Sequence, residues 1–160
     1  MEIEKKFLIA KMPDLSKFTC HEIEQAYLNR NTVFRIRKWD DKYIFTYKTK
    51  HDRADNLIVN TEIEEEIPKS AYLHLRDKAD NYYISKTRYI IPLEDGLKGE
   101  LDVFHGRLEG LTFIEVEFPS EEAALSFKAP DWFGADVSGD SHYRNGFLST
   151  VDKYTGFSQG

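Results

Sequence analysis

The N-terminal stretch from Met1 to Ile9 carries residues whose types and spacing could do chemistry. Side chains alternate between the two faces of a β-strand, so Glu2, Glu4 and Lys6 would share one face and Ile3 would point to the other. Carboxylates are the hard oxygen ligands that Mg²⁺ prefers, and a lysine places a point charge on a phosphate. A solvated strand face is the simpler interpretation of one such stretch. The pattern becomes informative because later segments repeat it.

Several further segments pair charged residues at alternate positions. The basic pairs are Arg35 and Arg37, Lys48 and Lys50, and Lys86 and Arg88. The acidic groups are Glu62, Glu64 and Glu66, then Glu100 and Asp102, then Glu115 and Glu117. A sheet with one face in water would carry mixed Ser, Thr, Asn and Gln on that face, whereas these faces are almost entirely ionised. Such rows indicate a site that brings carboxylates and cations together.

The composition is that of a globular protein. The chain has 160 residues, of which 41% are hydrophobic and 14% aromatic, enough for one domain with a packed core. Asp and Glu outnumber Lys and Arg by 28 to 22, which argues against a surface that coats nucleic acid. The single Cys20 cannot form an intramolecular disulfide, and no apolar run approaches the roughly 20 residues that span a bilayer. We therefore expect a cytoplasmic protein without a nucleic-acid or membrane partner.

Hydrophobic periodicity predicts a single domain over residues 1–154 and a frayed tail at 155–160. The predicted strands are 1–9, 22–30, 32–39, 42–50, 57–67, 82–91, 98–105 and 111–118. The predicted helices are 68–78, 120–127 and 140–154. A polar loop is expected at 51–56 and an apolar loop at 129–134.

The number of predicted strands favours a barrel. About eight antiparallel strands close into a barrel with room for one small ligand. If the charged faces point inward, their burial is costly unless the charges pair, coordinate metal or contact an ionic ligand. We therefore predict an α+β fold, an eight-stranded antiparallel β-barrel that forms a tunnel, with a charged interior and helices packed outside. It would bind a polyanion with divalent cations, and would form a homodimer if outward apolar faces stayed uncovered.

The order and spacing of these motifs resemble the CYTH-domain proteins, also called triphosphate tunnel metalloenzymes, especially the short bacterial members. The similarity extends from Glu2 to about Leu148. The matching motifs are Glu2-x-Glu4-x-Lys6, Gln25-Ala26-Tyr27-Leu28, Arg35-x-Arg37, Lys48, Glu62-x-Glu64, Lys86-x-Arg88-Tyr89, Glu100-Leu101-Asp102-Val103-Phe104, Glu115-Val116-Glu117-Phe118 and Asp140-x-x-Tyr143-Arg144-Asn145. The resemblance implies an eight-stranded tunnel that hydrolyses inorganic triphosphate, or another triphosphate compound, with Mg²⁺ or Mn²⁺.

The resemblance also implies a role for each matching residue. The phosphates would be held by Lys6, Arg35, Arg37, Lys48, Lys86 and Arg88. Metal ligands, or residues that support them, would be Glu2, Glu4, Glu62, Glu64, Glu100, Asp102, Glu115 and Glu117. Some of these carboxylates could position the arginines instead. Lys6 and Tyr27 match a pair that is thought to activate the attacking water in some short relatives.

Two positions depart from the family pattern. Asn60 stands where many relatives carry an arginine, which removes one phosphate contact, and His142 occupies another position that is often arginine. The resemblance therefore leaves three other activities open: cyclisation of ATP to cyclic AMP, hydrolysis of thiamine triphosphate, and binding of polyphosphate or a phosphorylated ligand without turnover. Hydrolysis is favoured over cyclisation because no motif indicates a purine pocket.

Overall fold

The computed structural model describes residues 1–51 and 57–157. Nine strands form the sheet: β1 (Glu2–Ile9), β2 (Thr19–Asn29), β3 (Val33–Trp39), β4 (Lys42–His51), β5 (Ile58–Glu66), β6 (Asp80–Pro92), β7 (Lys98–Phe104), β8 (Thr112–Phe118) and β9 (Phe133–Asp136). The α-helices are α1 (Lys69–Arg76), α2 (Glu121–Leu125) and α3 (Asn145–Leu148). Apart from His51, which ends β4, the loop predicted at 51–56 lies outside the described residues. None of the described helices is long and apolar enough to cross a membrane.

Eight of the strands close into an antiparallel barrel. The sheet order is β5-β4-β3-β2-β6-β7-β8-β1, and pairing between β1 and β5 completes the circle. The closing pairs are Glu2 with Asn60, Ile3 with Val59 and Glu4 with Ile58. The predicted eight-stranded antiparallel barrel is therefore confirmed.

The C-terminal quarter differs from the sequence prediction in two ways. Residues 133–136, expected to lie at the end of a loop or beyond it, form β9, which pairs with β1 at Phe7 and Ile9. The helix predicted over 140–154 is wrong. A 3₁₀ turn at Ser141–Tyr143 is followed by extended backbone at Arg144 and then by the short α3, so the chain makes two tight turns instead of one helix.

The C-terminal tail packs in part against the domain. Of the segment 155–160, residues 155–157 are described, and the Phe157 ring lies 5.4 Å from that of Tyr143 and 5.2 Å from that of Tyr154. The domain boundary at residue 154 and the frayed tail stay predictions.

Two clusters of apolar side chains pack on the outside of the barrel, whereas a third includes Tyr27 and Val33, which line its cavity. Ile3, Phe7 and Val116 belong to a hydrophobic cluster that also includes Ala124 of α2. Tyr72 of α1 covers the outer face of β2 and β3 in a second cluster with Ala26 and Ile36. Because side chains alternate along a strand, this outward packing directs the charged residues between them into the barrel. The helices thus fix the orientation on which the interior depends.

Candidate active site

A cavity of about 730 Å³ lies inside the barrel. Most of the predicted site residues line it: Glu2, Glu4, Lys6, Tyr27, Arg35, Arg37, Lys48, Glu62, Glu64, Lys86, Arg88, Glu100 and Glu115. Arg35, Arg37 and Arg88 are all at most 7% exposed. The charged faces therefore point toward a shared interior, as the sequence predicted.

Two arginines of β3 form one basic row. Arg37 donates a 2.8 Å hydrogen bond to Glu64, and Arg35 lies 3.8 Å from Glu62 and 3.7 Å from Glu64. Arg35 also donates to the hydroxyl of the fully buried Thr46 at 3.3 Å. Burial, together with repulsion from Arg35 and Arg88, lowers the pKa of Arg37 to about 10. At neutral pH the Arg37 guanidinium therefore stays charged, although it lies near two other arginines.

Lys48 of β4 is shared between two carboxylates. Its ammonium lies 3.1 Å from Glu2 and 3.3 Å from Glu62. Burial opposes its charge, but attraction to Glu4, Glu2 and Glu62 outweighs the repulsion from Arg35 and raises the pKa of Lys48. Asn60, at the position where relatives often carry arginine, is 1% exposed and donates to Glu2 at 3.3 Å. Its side chain therefore holds a carboxylate of this wall.

The opposite wall is a buried ion-pair network on β6 and β7. Arg88 donates to both oxygens of Asp102 at 2.8 and 2.9 Å, and to Glu100 at 2.7 Å. Lys86 lies 2.8 Å from Asp102 and donates to the side-chain oxygen of Asn145 at 3.3 Å. Burial lowers the pKa of Lys86 to about 8 in spite of Asp102. Lys86 therefore remains mostly protonated at neutral pH, paired with Asp102.

Lys6 is fixed at the junction of β1, β8 and the C-terminal segment. Its ammonium donates to the backbone carbonyl of Tyr143 at 2.6 Å and lies 3.4 Å from Glu115. It also sits 4.3 Å from the centre of the Phe113 ring. Burial opposes the charge of Glu115, but attraction to Lys6, Arg88 and Lys86 lowers its pKa.

Glu4 differs from the other interior carboxylates. In the described part of the chain it makes no hydrogen bond or ion pair, whereas Glu2, Glu62 and Glu115 each have a cationic partner within 4 Å. Burial and repulsion from Glu115 raise the pKa of Glu4 well above its ordinary value. Lys48 and Lys6 attract the Glu4 carboxylate only in part, and a divalent cation at Glu4 would offset both effects by adding positive charge beside it.

The described residues contain no group of three or more His, Cys, Asp or Glu side chains arranged to hold a metal by themselves. The reason is that most interior carboxylates are already paired with lysine or arginine. Mg²⁺ is commonly held by one or two carboxylates together with substrate phosphates and waters. The donor set around Glu4 therefore fits an ion that binds with its substrate.

Two predicted metal ligands lie outside the cavity lining. Asp102 is fully buried behind Lys86 and Arg88, where it orients both cations. Glu117 is exposed on β8. Tyr27 lines the cavity, but its hydroxyl accepts a 3.1 Å hydrogen bond from Gln25 and is not bonded to Lys6. His142 is absent from the lining and bonds Asp140 at 2.7 Å.

The cavity also includes residues that the sequence analysis did not select as site residues. Trp39 and His21 lie at one end of it, and Arg30, Arg144 and Asn145 at the other. Arg144 and Asn145 belong to the C-terminal motif Asp140-x-x-Tyr143-Arg144-Asn145, and this motif could have indicated them as site residues. Trp39 follows the Arg35-x-Arg37 alternation by two further residues, so the same periodicity placed it on the inner face.

Comparisons with known proteins find inorganic triphosphatases similar to this chain over most of its length. No family model matches the chain. A protein of Nitrosomonas europaea named inorganic triphosphatase is 36% identical over 151 residues, covering 92% of this chain and 96% of that protein. An inorganic triphosphatase of Acetivibrio thermocellus is 35% identical over 150 residues, covering 92% of each chain. The crystal structure of the inorganic triphosphatase NE1496 superposes with a TM-score of 0.71 at 35% identity, covering 96% of this chain and 97% of the other.

Proposed function

Since the chain belongs to the CYTH-domain family of triphosphate tunnel metalloenzymes, we propose that it hydrolyses a phosphoanhydride bond of inorganic triphosphate. The observation that carries the proposal is the cavity inside the barrel, which Arg35, Arg37 and Lys48 line together with Lys86 and Arg88. Phosphoryl transfer needs mainly alignment and neutralisation of charge on the nonbridging oxygens. Cations that converge on one cavity from several strands supply both.

The cations would clamp the phosphate chain from two walls. Arg37 and Arg88 offer planar guanidiniums suited to bidentate contact with phosphate oxygens, while Lys6, Lys48 and Lys86 act as point charges. Their carboxylate partners keep them in place before substrate binds, because each cation already has a hydrogen bond or an ion pair. The clamp is therefore largely preformed, which limits the ordering cost of binding.

The activity of this family is metal-dependent, and we propose Mg²⁺ or Mn²⁺ held by Glu4 with Glu2, Glu62, Glu64, Glu100 or Glu115 nearby. A bound divalent cation neutralises developing charge on phosphate oxygens and orients the reacting groups. Asp102 and Glu117 are not included in this set, because neither lines the cavity.

The pair of Lys6 and Tyr27 stays our proposal for orienting the attacking water. Both side chains line the cavity and are at most 4% exposed, so a water between them would be shielded from bulk solvent. The cytoplasmic location and the homodimer likewise stay predictions.

The test is a phosphate-release panel over inorganic triphosphate, ATP and thiamine triphosphate, each with Mg²⁺ and with Mn²⁺. Orthophosphate from inorganic triphosphate is the expected product, and cyclic AMP from ATP would instead indicate cyclisation. Binding without release would indicate a noncatalytic receptor. We expect Glu4→Ala and Arg37→Ala to lower kcat/KM by at least about 100-fold, since each removes a charge aimed at the transition state.

Matched controls come from residues next to the site that point outward. Lys38→Ala and Glu65→Ala remove exposed charges adjacent to Arg37 and Glu64, and should leave activity unchanged. Far-ultraviolet circular dichroism and urea midpoints would establish that each variant folds. Full activity in both folded site variants would remove the proposed site.

A further inference from the structure

Trp39 occupies one end of the cavity at the last residue of β3. Its backbone pairs with Ile23 on one side and Lys42 on the other, so its position is fixed by two neighbouring strands. The indole ring lies 4.9 Å from the ring of His21, whose Nδ1 bonds Asp40 at 2.7 Å. The side chain is thus held by a short chain of contacts at the rim of the barrel.

Two arginines from different strands converge on this indole. The guanidinium carbon of Arg37 lies 5.3 Å from the ring centroid, and that of Arg88 lies 5.7 Å from it. Arg37 belongs to β3 and Arg88 to β6, with β2 between them in the sheet. A cation within about 6 Å of the centre of a tryptophan ring is attracted by its negative face. One indole therefore contacts a phosphate-binding residue from each of the two rows.

The contact offsets a repulsion between these residues. Arg35 and Arg88 both disfavour the charge on Arg37, and burial adds to the effect. Without an aromatic group at this point, each guanidinium would gain by moving away from the other. The indole attracts both without introducing another charge that would compete with phosphate.

Packing alone does not account for Trp39. The three hydrophobic clusters found in residues 1–51 and 57–157 do not include it, whereas Trp132 packs in the first of them. Trp39 is half-buried and faces the cavity instead. Its surroundings are charged or polar, which is an unusual place for an indole unless the ring contacts those charges.

We propose that Trp39 is a positioning residue for the phosphate clamp, which holds the Arg37 and Arg88 side chains at the same level of the tunnel. The inference rests on the proposed function, because it assigns these arginines to the binding of a triphosphate. Trp39 acts through the arginines and contacts no reacting atom.

The kinetic test compares Trp39→Phe and Trp39→Leu with the wild type, using inorganic triphosphate and Mn²⁺. In Trp39→Leu the two arginines keep their carboxylate partners but lose the contact that holds the guanidiniums near each other, which adds an ordering cost to substrate binding, so we expect KM to rise about tenfold. The increase should be smaller in Trp39→Phe, because phenylalanine retains a weaker cation–π face. The kcat value should change less than threefold in both. Trp132→Phe, outside the barrel, is the matched control and should keep the wild-type KM.

A binding test uses fluorescence without turnover. In the Trp132→Phe background Trp39 is the only tryptophan of the chain. Adding inorganic triphosphate without metal should change its emission saturably, since phosphate oxygens bring negative charge next to the two guanidiniums that contact the ring. Calorimetric binding without an emission change would overturn the inference, and so would a wild-type KM in Trp39→Leu.

The two proposals fail in different ways. If wild-type protein releases no orthophosphate, the proposed function fails, and the fluorescence titration still reports whether triphosphate engages the arginines. If wild-type protein is active and Trp39→Leu keeps both its KM and its kcat, only the positioning role fails. A fall in kcat at unchanged KM, together with a lower urea midpoint, would indicate a structural role and would also overturn the inference.

Discussion

Asp102 and Glu100 provide an internal comparison of buried and accessible ion pairs. Both lie on β7, two residues apart, and both accept hydrogen bonds from Arg88. Asp102 is fully buried and also contacts Lys86, whereas the side chain of Glu100 is 30% exposed. We predict that Asp102→Asn and Glu100→Gln, which each remove one charge and little volume, have very different effects on stability.

The expected magnitudes follow from what each substitution leaves behind. Asp102→Asn leaves two buried cations without their shared carboxylate, and loss of one partner from a buried pair costs about 3–5 kcal/mol. Glu100→Gln leaves Arg88 still bonded to Asp102, and a partly exposed pair contributes about 0.2–1 kcal/mol. The difference in the free energy of unfolding should therefore be about 3 kcal/mol, which is several-fold larger than the error of a urea titration.

The assay is urea unfolding at pH 7, followed by the same titration in acid. Attraction to Arg88 and Lys86 outweighs burial and lowers the pKa of Asp102, so its contribution is present above the unfolded pKa of about 4 and is lost as pH falls through the folded value. The gap between wild type and Asp102→Asn should accordingly narrow in acid. Equal urea midpoints for the two variants at pH 7 would refute the reasoning. Wild-type stability of Asp102→Asn with weakened Mn²⁺ binding would instead assign Asp102 to the metal.

The remaining predictions concern pH and the outer face of the barrel. Burial raises the pKa of Glu2 from 4.5 to about 7. Between these values the folded protein holds a proton on Glu2 that the unfolded chain has already released, so the free energy of unfolding of the metal-free protein should fall as the pH rises from 4.5 to 7. Thermal melts in chelator should show this slope in the wild type and a flatter one in Glu2→Gln, whereas equal slopes would contradict the assignment. Tyr72 donates a 2.9 Å hydrogen bond to Glu24 from α1, and Tyr72→Phe should lower the free energy of unfolding by about 1–2 kcal/mol in urea titrations. Phosphate release should stay at the wild-type level in folded Tyr72→Phe, and a selective loss of activity would show that α1 acts on the site.

The strands were the most predictable part of the fold. The central residues of β3 and β8 alternate charged and apolar side chains, so the sequence indicated both the strand and the face that each residue occupies. The four-residue β9 was missed because it is too short for a periodic signal and contains Gly134. The C-terminal helix was predicted to be too long because the short turns around Gly146 leave apolar residues at helical spacing. Their packing against the barrel, not their local preference, decides the backbone there.

The sequence predicted which face of each strand the site residues occupy, but not which of them line the cavity. Alternation places Glu100 and Asp102 on the same side of β7, yet only the folded barrel shows that one lines the cavity and the other lies behind two cations. Glu117 shares its face with Glu115 and is nevertheless exposed. Trp39 was overlooked for a different reason: aromatic residues usually belong to the core, and its second arginine contact, Arg88, comes from β6, far along the sequence.

The interior charges are shared, not matched one to one. Arg88 contacts two carboxylates, Lys48 contacts two, and Asp102 contacts two cations. Exchanging the signs of any one pair would therefore bring a third group face to face with a like charge. Substitutions at these interior positions must therefore occur in coordinated sets of three or more. Covariation between pairs of positions in homologues would understate how strongly these residues constrain one another.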